Sequence, residues 1–169
     1  KIDWRFGTEE DLKELIALCK ERNVQLILDL AINHSSSQHP WFLEFKEARA
    51  KGDTENPYYD YYSCVTEAEK VGGRTYQKIA GVDCWFECNF SSEMPELNYD
   101  NPEVRQAMLD VAKYYLDLGV DGFRFDAVKY IYYGDTEQSV AFWEWYMEEL
   151  RKIDPDIYVV GECWSGESE

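Results

Sequence analysis

The sequence predicts an α/β chain built on a parallel sheet. Two observations carry this. Amphipathic helical stretches alternate with short, nearly continuous apolar runs, the pattern of strands covered on both faces. One stretch, residues 33 to 100, breaks the alternation and reads as an insertion rather than a plain loop.

Taken in order, Thr8 opens the first helix as its cap, and Glu9, Glu10 and Asp11 suit the positive end of the helix dipole. Leu12, Leu15, Ile16 and Cys19 recur at helical spacing, Lys20 and Arg22 sit in the last turn, and Asn23 stops the helix. Val24 to Ile32 is the first strand, ending in Asn33-His34-Ser35-Ser36. The excursion that follows is rich in Tyr, Gly, Ser and Asn, with four tyrosines between Tyr58 and Tyr62, and Gly72-Gly73 and Gly81 punctuate short candidate strands. Asn101-Pro102-Glu103 starts the next helix. Val104, Met108, Val111, Ala112, Tyr115 and Leu116 form its apolar stripe, and Gly119 ends it. Val120 to Val128 is the second strand. A third helix runs from Glu137 to Lys152 with Val140, Trp143, Tyr146, Met147 and Leu150 on one side, and Asp154-Pro155 breaks it. Ile157 to Glu162 is the third strand.

Composition bounds what such a chain does. Of 169 residues, 45% are hydrophobic and 30% charged, which supports a packed core rather than disorder. Asp plus Glu number 34 against 17 Lys plus Arg, a formal charge of -17. Such a surface repels phosphate backbones and anionic lipid, which excludes nucleic acid as a partner. Aromatics reach 16% and suit the flat apolar faces of a neutral ring ligand. No apolar run approaches the roughly 18 residues of a membrane span. No signal peptide is evident; the chain opens on Lys1 directly before a helix signal and reads as a piece of something longer. Five cysteines, Cys19, Cys64, Cys84, Cys88 and Cys163, leave at least one unpaired. Cys84-x3-Cys88 is a poor zinc spacing, so free or buried thiols are the expectation, with a disulfide or metal site as the alternative.

Chemistry gathers at the strand ends, where parallel α/β sheets hold their ligands. Asp29, Asn33 and His34 lie at the end of the first strand, Arg124 and Asp126 at the second and Glu162 at the third. Residues two apart on a strand share a face, so Arg124 and Asp126 point the same way. The guanidinium is expected to hold Asp126 low and ionised, the state a carboxylate nucleophile needs. A less solvated Glu162 is expected to rise and serve as the acid. Two carboxyls about 5 to 5.5 Å apart are the equipment of a retaining glycosidase. Singly, each feature has an ordinary explanation: a structural Asp, a Glu that caps a helix, an Arg-x-Asp ion pair.

Together the motifs Asp29-Leu30-Ala31-Ile32-Asn33-His34, Gly122-Phe123-Arg124-Phe125-Asp126-Ala127-Val128-Lys129 and Gly161-Glu162-Cys163-Trp164, in this order, resemble three signature regions of the α-amylase family, glycoside hydrolase family 13. Met94-Pro95-Glu96-Leu97-Asn98 resembles a fourth, and His39-Pro40-Trp41-Phe42 is similar to a segment of bacterial members. The resemblance covers the whole chain. It implies part of a TIM (β/α)₈ barrel: residues 1–32 as helix two and strand three, 33–100 as an irregular domain B, and 101–169 as helix three to strand five.

The resemblance also implies roles. Asp126 matches the nucleophile, Glu162 the general acid/base, Arg124 the arginine that keeps the nucleophile ionised, and Asp29 its structural support. His34 matches a sugar-contacting histidine, and Lys129, Tyr130 and Trp164 are further substrate-binding candidates. Asn33 matches a ligand of a structural Ca²⁺. Many α-amylases carry Lys-His where this chain has Lys129-Tyr130, which bears on the acceptor-side subsites. The family's third catalytic carboxylate, in an Asn-His-Asp type motif, is not among these residues, so residues 1 to 169 in isolation are expected to be inactive.

The implied activity is α-amylase-type hydrolysis of α-1,4-glucans such as starch or maltodextrin, with oligo-1,6-glucosidase, neopullulanase-like or transglycosylating activity as the alternative. A catalytically dead barrel relative, such as a transporter ectodomain subunit, is opposed by the presence of Asp126, Glu162 and Arg124. The implied partners are the glucan and the rest of the barrel. An extracellular or cell-surface location follows from a polymeric substrate.

Overall fold

The structure is a computed structural model and describes residues 2–164. Its contacts divide the chain into two compact units, residues 1–30 with 108–169, and residues 31–107.

The first unit holds the parallel sheet. Its strands are β1 (Ile27–Leu30), β5 (Gly122–Phe125) and β6 (Tyr158–Gly161), in the order β1-β5-β6. The register pairs Asp29 with Arg124 and Arg124 with Val160. Each strand is shorter than its apolar run, because ladder pairing ends before the polar residues. The Asp121 carboxylate accepts from the Leu26 amide at 2.7 Å and pins the entry to both strands. Gly122 is obligatory: its φ is +154°, and a Cβ there would stand 1.8 Å from the Tyr158 carbonyl oxygen.

Helix α1 (Glu9–Glu21) is set by a capping box. The Thr8 hydroxyl accepts from the Asp11 amide, and the Thr8 amide donates to the Asp11 carboxylate at 2.7 Å. Of its expected apolar face only Ile16 is buried, and Leu15 is 47% exposed. Helix α4 (Thr136–Ile153) buries Phe142, Tyr146 and Leu150 and meets β5 through Trp143 and Tyr146. The Phe125 ring meets Trp143 at 5.1 Å and Tyr146 at 5.7 Å. Val140, expected on the buried side, is exposed, and Phe142 takes the inner position. Burial of each such ring is worth about 1.5–3 kcal/mol. The Tyr146 hydroxyl and the Trp143 indole N–H are satisfied by the carbonyls of Met108 and Val128, each at 2.9 Å.

The second unit contains a helix that the sequence reading did not anticipate, α2 (Pro40–Lys51). His39 Nδ1 accepts from the Trp41 amide at 3.3 Å to cap it, and Gly52 closes it at φ +67°. A small antiparallel sheet has the order β2 (Cys64–Val65), β4 (Trp85–Glu87), β3 (Tyr76–Lys78). Phe42 meets Tyr62 and Phe86 edge to face at 5.0 and 4.9 Å, and these rings form the unit's core. Cys64 and Cys84 form a disulfide, so the expectation of thiols throughout fails for this pair; β2 and the lead into β4 run side by side and bring them together. Among the described residues, Cys19, Cys88 and Cys163 are in no disulfide. Helix α3 (Pro102–Leu118) runs through the division between the units.

Candidate active site

The candidate site stands at the carboxyl ends of β1, β5 and β6. The ladder extends one residue past each end: the Asp126 amide donates to the Leu30 carbonyl at 3.3 Å, and the Glu162 amide to the Phe125 carbonyl at 2.9 Å. These bonds fix where the two carboxylates leave the sheet. Ala127, next in the chain, turns away with φ +53° and its methyl buried. A non-glycine residue holds that conformation at a cost of about 1–2 kcal/mol.

Arg124 is the hub. Its Nη1 donates to both oxygens of Asp29, at 2.7 and 2.9 Å, and to Asp126 Oδ1 at 2.9 Å. Its Nη2 pairs with Glu162 Oε1. The hydrogen bond to Asp29, opposed by partial desolvation and reinforced by Coulomb attraction to Asp29 and Glu162, raises the guanidinium pKa. One cation thus serves three carboxylates. The side chains are 28% exposed for Arg124, 31% for Asp126 and 22% for Glu162, while Asp29 at 66% remains largely in water.

The titration order differs from the sequence expectation. Desolvation, and then the neighbouring Glu162 carboxyl, raise Asp126 above the usual aspartate value, and Arg124 offsets this only in part. Glu162 is lowered, first by a hydrogen bond from the Trp164 side chain and further by Asp126 and Arg124. Asp126 is raised first by its own desolvation, and the donors are also divided unequally, with Arg124 and Trp164 both serving Glu162. The two carboxyls share a hydrogen bond, so the proton belongs to the pair. Glu162 Oε2 is buried and has no hydrogen-bond partner among the described residues.

The other expected residues are placed as follows. Trp164 is 70% exposed, with its indole turned to Glu162. Lys129 is exposed on the short turn after Asp126. Tyr130, half-buried, stacks on Tyr133 with ring centres 4.6 Å apart and planes at 14°. His34 and Asn33 belong to the second unit. His34 forms an isolated bridge with Glu96 and its ring lies 5.5 Å from Phe90. Asn33 is buried with its amide toward Glu96. Among the described residues no group of three or more His, Cys, Asp or Glu is placed to hold a metal ion.

The sequence reading missed a second carboxylate group, inside the second unit. Glu87 and Glu96 are 5% and 4% exposed. The Asn89 amide donates to Glu87 Oε1 at 2.7 Å and to Glu96 Oε1 at 2.9 Å, and Arg74 pairs with Glu87 Oε2 at 3.1 Å. Burial, then the Glu87 charge, push Glu96 up to about 7. Glu96 lies in the Met94–Asn98 motif, but only burial shows that it meets Glu87 and Asn89.

Comparisons with known proteins agree with this geometry. The family model for the α-amylase catalytic domain matches residues 1–169. Alpha-amylase 3 of Dictyoglomus thermophilum is 42% identical over 163 residues, covering 96% of this chain and 31% of that protein. An oligo-1,6-glucosidase of Bacillus cereus is 36% identical over 142 residues, covering 78% of this chain and 24% of that protein. The solved structure of Eubacterium rectale Amy13B superposes with a TM-score of 0.87 at 34% identity, covering 97% of this chain and 32% of that one. The chain thus spans about a third of the length of the relatives it matches, and its three parallel strands are part of their barrel. Four carboxylate and guanidinium groups meeting at adjacent strand ends, and a match along the full sequence, place this chain in the α-amylase family of glycoside hydrolases, family 13.

Proposed function

We propose that the whole protein hydrolyses α-1,4-glucans by retention, with Asp126 as nucleophile and Glu162 as acid/base. The observation that carries the reading is Arg124 held between Asp29, Asp126 and Glu162. Glu162 protonates the glycosidic oxygen as an Asp126 oxygen bonds to the anomeric carbon and the C–O bond to the leaving sugar breaks. Glu162, now ionised, takes a proton from water, whose oxygen displaces Asp126 and restores the starting configuration. Asp29 orients Arg124, and Arg124 stabilises the Asp126 carboxylate as it leaves. For this the sugar must separate the two carboxyls to about 5 to 5.5 Å and free Glu162 from Arg124, so that Glu162 carries the proton. The rest of the barrel supplies the third carboxylate.

Similarity to an oligo-1,6-glucosidase supports a second reading, cleavage of α-1,6 linkages, with transfer to a sugar acceptor as a variant. Product analysis on starch, pullulan and isomaltose separates them: maltodextrins from starch support the first, and glucose from isomaltose alone supports the second. Lys129 and Tyr130 are proposed on the acceptor side, His34 and Trp164 beside the cleaved sugar. In the full-length enzyme Asp126→Asn is expected to lower turnover about ten-thousandfold; near-normal turnover refutes the assignment. The Cys64–Cys84 disulfide supports an oxidising, extracytoplasmic location.

A further inference from the structure

The tyrosine-rich run includes one member that no ligand can touch. Tyr62 is 0% exposed, its ring set against Phe42 and Phe45 with ring centres at 5.0 and 5.3 Å. A buried phenol needs a hydrogen-bond partner, and this one meets the Ser35 hydroxyl at 2.7 Å. Burial, offset in part by that bond, pushes Tyr62 up to about 12, so the hydroxyl keeps its proton. A second buried tyrosine reaches the same stretch of chain. Tyr99 is 4% exposed, and its hydroxyl donates to the Ile32 carbonyl.

The two contacts bracket His34, Ile32 lying before it and Ser35 after it. His34 itself belongs to no strand. It pairs with Glu96 as an isolated bridge, with the Leu97 amide on the Asn33 carbonyl at 3.0 Å and the Ser35 amide on the Pro95 carbonyl at 3.1 Å. A single bridge fixes the backbone locally and leaves the segment able to pivot about it. Hydroxyl contacts on either side remove that freedom. Tyr62 is itself tied to the same partner segment, through its own isolated bridge with Leu97. All of these residues lie within the second unit.

We propose that Tyr62 and Tyr99 are positioning residues that clamp the His34 segment at Ser35 and Ile32 and so hold the His34 ring in place for the sugar. This rests on the reading of His34 as a sugar contact. The test is a double-mutant cycle in the full-length enzyme, read as kcat/KM on a maltooligosaccharide. Tyr62→Phe and Ser35→Ala break the same bond from its two ends. Each of these, and Tyr99→Phe, is expected to lower kcat/KM about tenfold. In a His34→Ala background the same changes are expected to have no further effect, because no ring remains to be positioned. Tyr146→Phe is the control: it loses a buried hydroxyl–carbonyl bond, 2.9 Å to Met108, and is expected to lower the melting temperature with kcat/KM unchanged. The clamp is overturned if the Tyr62 and Tyr99 variants turn over normally, if their losses persist undiminished in the His34→Ala background, or if Tyr146→Phe loses as much kcat/KM as they do. Normal kcat/KM in His34→Ala alone overturns the sugar contact and the clamp with it, which keeps the two failures apart.

Discussion

The chain carries two groups of carboxylates, and they are stabilised in opposite ways. At the strand ends Asp29, Asp126 and Glu162 share one guanidinium and keep part of their surface in water. In the second unit Glu87 and Glu96 are buried and joined by a neutral amide, with a single arginine on Glu87. The first group meets its charge with a cation and solvent; the second meets it by raising Glu96 until it holds a proton. The difference teaches where chemistry is available. Charges that stay partly hydrated can be rearranged by a substrate, whereas charges locked in a core serve to fix the fold.

The largest effect expected from this contrast is on turnover. Arg124→Met in the full-length enzyme lowers glucan hydrolysis at least about a thousandfold, while denaturant unfolding shifts by less than about 1 kcal/mol because the ion pairs are partly exposed. Loss of stability without loss of turnover reverses the contrast. Reduction of the Cys64–Cys84 bond, which closes a loop of sequence separation 20, costs about 3 kcal/mol, read as a lower melting temperature in reductant and in Cys64→Ser. Thiol labelling under denaturing, non-reducing conditions, read by peptide mapping within residues 1–169, marks Cys19, Cys88 and Cys163 and leaves Cys64 and Cys84 unlabelled.

Glu96 gives a pH signature of similar size. Folding raises it from 4.5 to about 7. The protonated form favours folding, so its contribution is fully present below about pH 4.5 and is lost as the pH climbs through about 7. At alkaline pH the deficit is on the order of 3 kcal/mol, and Glu96→Gln, which cannot ionise, flattens that slope. A slope unchanged in Glu96→Gln assigns it to another group. The smallest effect is that of Asn89→Ala, which strands the two carboxylates it bridges and costs about 2 kcal/mol with turnover per folded enzyme unchanged.

Much of this was legible in the sequence because it is local. The three parallel strands announce themselves as apolar runs, and the polar residues that follow Leu30, Phe125 and Gly161 mark the ligand-bearing ends. Asp29, Arg124, Asp126 and Glu162 do converge. Helix α2 escaped because its cap is a histidine, outside the usual cap residues, and because only Phe42, Phe45 and Ala48 are buried along it. The disulfide escaped because five cysteines do not say which two meet. The order of the Asp126 and Glu162 titrations depends on the desolvation of Asp126 and on how Arg124 and Trp164 divide their donors, neither of which spacing along a strand reports. Glu87, Asn89 and Glu96 carry no motif as a group, and only burial shows what they are.

The central claim is that Asp126 bonds to the sugar. It is tested most directly by treating the full-length enzyme with a fluorinated glucosyl fluoride, whose intermediate forms faster than it hydrolyses, and locating the label by peptide mass spectrometry. The account predicts one glucosyl adduct, on Asp126, with none in Asp126→Asn. An adduct on Glu162 or on any other carboxylate, or steady turnover by the Asp126→Asn enzyme, contradicts it.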